Sequence, residues 1–145
     1  MANLIVDIGN TAVKASWSEG MTIGKTYRYQ GEKTRDHILS LLEKERPGIM
    51  VISSVYDIPA SDREMYRELC GELVIMDSAH KEFLEMFGGN GIPSYLSCDR
   101  IASILAARYL FKGKGCTVID LGSTLTVDCL NPDGSYAGGS ISLGC

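Results

Sequence analysis

A chain of 145 residues, 45% hydrophobic and 22% charged, is long enough to bury one ordinary core and part of a second. Its formal net charge is −4, and its basic residues are scattered, without a Lys/Arg stripe interleaved with aromatics, so there is no electrostatic case for nucleic acid and none is expected as a partner. No apolar run approaches membrane-spanning length and the amino terminus lacks a charged-then-apolar leader pattern, so no membrane partner is expected and the cytoplasm is the expected location.

The first stretch to carry information is Leu4-Ile5-Val6-Asp7-Ile8-Gly9-Asn10-Thr11-Ala12-Val13-Lys14. A β-branched run ends in Asp, followed by one apolar residue, a Gly, small amide or hydroxyl residues, and renewed apolar alternation. That pattern predicts a buried strand, a tight turn and an antiparallel return strand. Ala15-Ser16-Trp17 completes the second strand, and Met21 to Tyr29 reads as a third, with Tyr27 and Tyr29 on one face. Thr34 is the expected N-cap of a helix whose stripe is Ile38, Leu41 and Leu42, ended by Pro47-Gly48. Ile49-Met50-Val51-Ile52 is a short continuous apolar run, as in a strand buried on both faces, and Ser53-Ser54 lies at its end, where ligand loops of open α/β sheets are found.

Ser61 with Glu64 three positions on predicts a capping box, opening a helix that Gly71 closes. Leu73 to Met76 is the next strand, and Lys81 to Phe87 one or two helical turns. Gly88-Gly89-Asn90-Gly91 fits neither a dinucleotide fingerprint nor a P-loop and reads as a flexible connection. Ser97 caps a longer helix from Cys98 to about Phe111, stopped by Gly113-Lys114-Gly115.

The opening pattern then returns as Val118-Ile119-Asp120-Leu121-Gly122-Ser123-Thr124-Leu125-Thr126-Val127-Asp128. Asn131-Pro132-Asp133-Gly134 is a strong turn, and Tyr136 to Ile141 a third strand containing Gly138-Gly139. The repeat divides the chain into a first domain over 1–114 and the opening strands of a second over 115–145. Each turn offers backbone amides and hydroxyls to a phosphate, and each strand-end Asp stands where a cation or its water shell is needed. Two such hairpins could grip a polyphosphate from both sides. A lone strand-Asp-x-Gly turn is commonly structural; the repeat carries the inference. Cys70, Cys98, Cys116, Cys129 and Cys145 are odd in number and form no C-x-x-C pair, so they are expected to be reduced thiols rather than zinc ligands.

The set Asp7-Ile8-Gly9-Asn10-Thr11 with Lys14, then Ser97-Cys98-Asp99-Arg100, then Asp120 to Asp128, then Gly138-Gly139-Ser140-Ile141-Ser142-Leu143-Gly144, resembles the type III pantothenate kinases. That family lies within the acetate kinase, sugar kinase, Hsp70 and actin superfamily. The resemblance covers Leu4 to Gly144 and implies an α/β fold. It is a ribonuclease H-like (actin-like ATPase) domain with a mixed sheet flanked by helices, plus the first strands of a second such domain. It further implies ATP-dependent phosphorylation of pantothenate to 4′-phosphopantothenate, the first step of coenzyme A synthesis. Mg²⁺, a monovalent cation (K⁺ or NH₄⁺) and a homodimer go with that activity.

By the same resemblance Asp7, Ile8, Gly9, Asn10, Thr11, Ala12, Val13 and Lys14 match the first ATP-phosphate loop, and Gly122, Ser123 and Thr124 the second. Asp120 matches the monovalent-cation ligand, Asp99 the general base, and Ser97, Cys98, Asp99 and Arg100 the substrate-binding turn. The chemistry of the residues is compatible. Phosphoryl transfer needs positioning and charge neutralisation, with one carboxylate toward the attacking hydroxyl, and an arginine fork suits an anionic, hydroxyl-bearing substrate. The pattern departs from the family at Ser97-Cys98, where the family has Gly-Ala, at Ser123 for Thr, and at Leu143 for Pro. Family members continue for about another 100 residues, roughly a domain's worth. A three-strand second sheet is expected to leave one apolar face uncovered. A non-catalytic nucleotide- or phosphate-binding module of the same descent is the alternative expectation.

Overall fold

The computed structural model describes residues 1–86, 88 and 91–144. Phe87, Gly89, Asn90 and Cys145, and with them part of the expected glycine connection and the fifth cysteine, lie outside the described residues. The elements run β1 (Asn3–Ile8), β2 (Val13–Glu19), β3 (Thr22–Tyr29), α1 (Thr34–Leu42), β4 (Ile49–Ser54), α2 (Ala60–Glu68), β5 (Glu72–Met76), α3 (Phe83–Met86), α4 (Cys98–Leu110), β6 (Cys116–Leu121), β7 (Thr124–Leu130) and β8 (Tyr136–Leu143). Packing divides the chain into two compact units, Met1–Lys81 and Glu82–Cys145. The boundary expected at 114/115 follows the repeat of the hairpin; packing divides the chain earlier, because α4 packs against β6 and β7.

Unit one is a mixed five-stranded sheet in the order β3-β2-β1-β4-β5. β1, β2 and β3 are antiparallel because short turns join them, whereas β4 and β5 run parallel to β1 because a helix precedes each. Alternate residues of the strands (Leu4 and Val6, Val13 and Ala15, Met50 and Ile52) form one core with Ile38, Leu41 and Leu42 of α1 and Tyr66 of α2. Each fully buried aliphatic side chain there contributes about 1.5–3 kcal/mol. Both helices reach the same face of the sheet. β4 is therefore not buried on both faces as its apolar run suggested: Met50, Ile52 and Ser54 are buried, Val51 and Ser53 half-buried, and Ile49 exposed.

The helix ends also differ from expectation. Lys33, not Thr34, occupies the N-cap position of α1, with no side-chain cap, and the helix ends at Leu42, before Pro47-Gly48. The Ser61/Glu64 capping box is not formed. Pro59 takes the N-cap position, and its carbonyl accepts the amides of both Asp62 and Arg63 at 3.0 Å. A ring-locked φ of −55° one residue before the helix makes Pro59 the starting point. Nor does Gly71 close α2, which ends at Glu68 with Leu69 as C-cap. A Cβ on Gly71 would stand 2.5 Å from the Gly48 carbonyl oxygen, so this glycine serves the close approach of the two links that enter β4 and β5.

Unit two is the antiparallel sheet β6-β7-β8 with α4 against it. Ser97 holds the N-cap position of α4 as expected, but makes no side-chain capping bond. Asn131-Pro132-Asp133-Gly134 forms the turn between β7 and β8: the Gly134 amide donates to the Asn131 carbonyl (2.9 Å) and Gly134 takes a φ of +86°. Thr126, Asp128 and Leu130 of β7 are buried. On the other face of the hairpin Ile119 and Leu121 are exposed, Leu121 to 82%.

Candidate functional site

In the first loop β1 and β2 stay in register through Asp7↔Lys14 and Ile8↔Val13, leaving Gly9, Asn10, Thr11 and Ala12 as the turn. The Gly9 amide donates to the Ala12 carbonyl at 3.0 Å. Asp7, Asn10, Thr11 and Lys14 are exposed, while Ile8, Gly9 and Ala12 are half-buried. The Val13 side chain is core, so only its main chain is available to a ligand. Opposite charges on Asp7 and Lys14 share one face of the hairpin. β4 reaches the same end of the sheet, where the Val55 amide donates to the Ile8 carbonyl at 3.0 Å and the Tyr56 amide to Ser54 Oγ at 3.1 Å.

The second loop is one residue tighter. Leu121 pairs with Leu125, so only Gly122, Ser123 and Thr124 turn the chain, and the Gly122 amide donates to the Thr124 carbonyl at 3.0 Å. Nothing within the turn requires a glycine there: Gly122 has no positive φ, and a Cβ would come no closer than 3.7 Å to any neighbour. The space its missing side chain leaves is open toward solvent. Gly144 is different. A Cβ on it would strike the Gly122 carbonyl and stand 2.9 Å from the Ser123 carbonyl, to which its own amide donates at 3.2 Å. The last glycine of the 138–144 run thus holds the end of β8 against the loop. Asp120 is exposed, and its pairing with Thr126 puts it on the sheet face that carries Asp128.

The expected base and substrate turn lie on α4. Cys98 and Arg100 are buried and Asp99, between them, is exposed, as helical geometry requires when one flank of the first turn packs down. The Arg100 side chain is engaged within the unit: Nε donates to Asp128 Oδ2 at 3.0 Å and Nη2 to Asp128 Oδ1 at 2.6 Å. Tyr136 donates its hydroxyl to the same Oδ1 at 2.7 Å. Burial pushes the Asp128 carboxyl up, but the hydrogen bonds from Arg100 and Tyr136 and the guanidinium charge outweigh it, and the group sits below the ordinary carboxylate range. Burial and the bond to Asp128 push the Tyr136 phenol up to about 12. Farther along α4, the Arg108 side chain lies against Gly134. The amino end of α4 therefore points toward the second loop and its carboxyl end toward the β7–β8 turn. Asp99, Arg100, Asp120 and the second loop are all carried by unit two.

The sequence reading missed Asp128, Tyr136 and the reason for Gly139. A Cβ on Gly139, the cross-strand partner of Asp128, would stand 2.5 Å from Asp128 Oδ1 and 2.7 Å from the Tyr136 hydroxyl. Gly138 before it takes a φ of +125° at the β7–β8 irregularity. A signal was present: alternation puts Asp128 on the same face as Thr126 and Leu130, and a carboxylate on a buried strand face needs a partner. Unit one holds a second such group at the end of β5. Asp77 is fully buried and accepts the amides of Ile58, Ala79 and His80 (3.1, 3.1 and 2.8 Å) and His80 Nδ1 (2.6 Å). Arg63 contacts the other nitrogen of His80, whose Nδ1–H therefore faces the carboxylate. These bonds fasten the chain leaving β5 to the entrance of α2.

Among the described residues no three His, Cys, Asp or Glu side chains gather as a metal site, and no disulfide joins the described cysteines. No described helix is long and apolar enough to cross a membrane.

A family model, that of the type III pantothenate kinases, matches residues 3–145. The chain belongs to the type III pantothenate kinase family. A type III pantothenate kinase of Azobacteroides pseudotrichonymphae is 28% identical over 141 residues, an alignment covering 97% of this chain and 56% of that protein. The chain thus spans little more than half the length of this relative. Among solved structures, the activator of the 2-hydroxyisocaproyl-CoA dehydratase of Clostridium difficile, crystallised with ADPNP, aligns with a TM-score of 0.53 at 14% identity. That alignment covers 100% of this chain and 47% of the activator. A ROK hexokinase of Thermus thermophilus gives 0.53 at 11% identity over 94% of this chain and 48% of its own. At such identities these likenesses speak to the fold alone, which is the expected α/β actin-like ATPase fold.

Proposed function

We propose that this member of the family takes part in ATP-dependent phosphorylation of pantothenate in the cytoplasm. The observation that carries the reading is the first turn of α4: an exposed Asp99 beside an anchored Arg100, on the sheet whose open glycine loop is Gly122-Ser123-Thr124. The hydroxyl oxygen of pantothenate attacks the γ-phosphorus of ATP, its proton passes to the Asp99 carboxylate, and ADP leaves. Arg100, with Ser97 and Cys98 around it, meets the substrate's carboxylate. Amides and hydroxyls of Gly122 to Thr124, and of the segment from Asp7 to Lys14, receive phosphate oxygens. Asp120 with the hydroxyl and carbonyl oxygens of its loop is a hard-oxygen set suited to a monovalent cation, and Asp7 suits Mg²⁺ or its water shell. Such cations would neutralise phosphate charge. Because the chain spans 56% of its relative's length, turnover is expected to require the remaining part of such a protein, in a homodimer.

A coupled assay with ATP, pantothenate, Mg²⁺ and K⁺ or NH₄⁺ tests the reading. Asp99→Asn should lower turnover by at least about 100-fold; unchanged turnover removes the base assignment. One observation favours a second reading, a non-catalytic phosphate-binding module: the turn before Asp99 reads Ser97-Cys98, with the Cys98 side chain buried. Calorimetry that detects nucleotide binding, with no turnover even when the remaining part of such a protein is supplied, would support it. Absence of both nucleotide and pantothenate binding at millimolar concentration would end both readings.

A further inference from the structure

We propose that Asp128, braced by Tyr136, is the positioning residue for the Asp99–Arg100 turn. The roles of Asp99 and Arg100 come from the kinase reading above; the geometry stands apart from it. At the start of α4 the Ser97 side chain makes no capping bond. A residue of the sheet, Asp128, holds the third residue of the helix. Two parallel bonds, Nε to Oδ2 and Nη2 to Oδ1, fix the plane of the Arg100 guanidinium as well as its position. A single bond would let that plane swing. With Arg100 fixed and Ile101 fully buried beside it, the roll of the turn is set. Asp99, about 100° round the helix axis from Arg100, is left facing outward.

Tyr136 closes the arrangement from the neighbouring strand. Its hydroxyl donates to Oδ1, the oxygen that also receives Nη2, and so stops the carboxylate from rotating away. Gly139 keeps the necessary space empty. The clamp also limits how Arg100 can meet an anion. Its Nε edge is spent on Asp128, so a substrate carboxylate is received end-on by the hydrogens left on Nη1 and Nη2. Asp128 and Tyr136 thereby set both the direction of the base and the approach of the anion without touching substrate themselves.

The test uses the 145-residue chain and its Tyr136→Phe and Asp128→Asn variants, the first of which keeps the ring and the charge pair. Three quantities are measured: amide hydrogen exchange along α4, pantothenate affinity by calorimetry, and ATP affinity. The proposal expects exchange at Ile101, Ala102 and Ser103, whose amides close the first turn, to rise about tenfold, with the last two turns of α4 unchanged. Pantothenate should bind about tenfold more weakly, and ATP as before. Exchange that is unchanged, or raised evenly along α4, overturns the proposal, since a merely structural ion pair would loosen the helix as a whole. If the parent chain binds no pantothenate, the kinase reading fails, and the exchange pattern alone still decides the positioning.

Discussion

Replacing Gly139 with alanine tests the packing of unit two at its tightest point. In an ordinary strand interior the change is favourable by about 0.5–1 kcal/mol, because glycine loses more backbone freedom on folding. Here the new methyl would press on the Val127 carbonyl and stand 2.5 Å from Asp128 Oδ1 and 2.7 Å from the Tyr136 hydroxyl. Relieving such overpacking costs about 1–3 kcal/mol. Displacing the carboxylate weakens hydrogen bonds to a charged group that are worth about 1.5–3 kcal/mol each. The unfavourable contributions win, and Gly139→Ala should be less stable by about 2 kcal/mol, a fall in Tm of roughly 4–8 °C for a chain of this size. Scanning calorimetry at pH 7, with hydrogen exchange in β7 and β8 to locate the loss, measures it. A variant as stable as the parent, or more so, would mean that the space around Asp128 is not as tight as described, and the account of the clamp would fall with it.

Gly122→Ala is the opposite case. Its nearest neighbour would be 3.7 Å away, so stability should change by less than about 0.5 kcal/mol, while ATP affinity falls at least about tenfold if phosphate approaches the loop; unchanged affinity by calorimetry would count against that approach. Asp77→Ala strands the buried amide of Ile58 and removes the acceptor of the part-buried amides of Ala79 and His80, and should cost about 1–3 kcal/mol in urea unfolding. For Asp77, burial pushes the carboxyl up, but the hydrogen bonds from Ile58 and His80 and the charge of His80 pull it below the usual range. A carboxyl depressed in the folded state contributes its full stability above its unfolded value, about 3.9, and loses it as pH falls through the folded value. Urea unfolding should therefore weaken below about pH 4, and less steeply in Asp77→Asn. At the alkaline end Tyr66 is raised to about 12, by burial first and then by the charge of Asp62. Its stabilisation is whole below the unfolded value, about 10, and is lost as pH rises toward 12, so Tyr66→Phe should flatten that limb.

Much of the fold was legible because the signals were local. β-Branched runs broken by Asp-x-Gly fix the hairpins at Ile8–Val13 and Leu121–Leu125, and the period of Ile101 and Ile104 fixes α4. Helix starts were less legible. Thr34 and the Ser61/Glu64 pair carry sound capping chemistry, yet neither caps, because at α2 Pro59 fixes φ and its carbonyl takes the first amides. Of the site, the sequence indicated the loops and the Asp99-Arg100 turn, but not that Arg100 is already held by a carboxylate 28 residues away.

The sequence by itself determined what repeats and what alternates: two strand-turn-strand units with glycine at the bend, and helices between strands. Such patterns depend on neighbours one to four positions apart, which backbone geometry brings together in any context. Only the tertiary structure decided which face of β4 is covered, why Gly139 has no side chain, and that Asp128 and Tyr136 converge on Arg100. Those outcomes depend on the pairing of β7 with β8 and on α4 lying against the sheet, and no short-range rule specifies a contact made across strands and helix together.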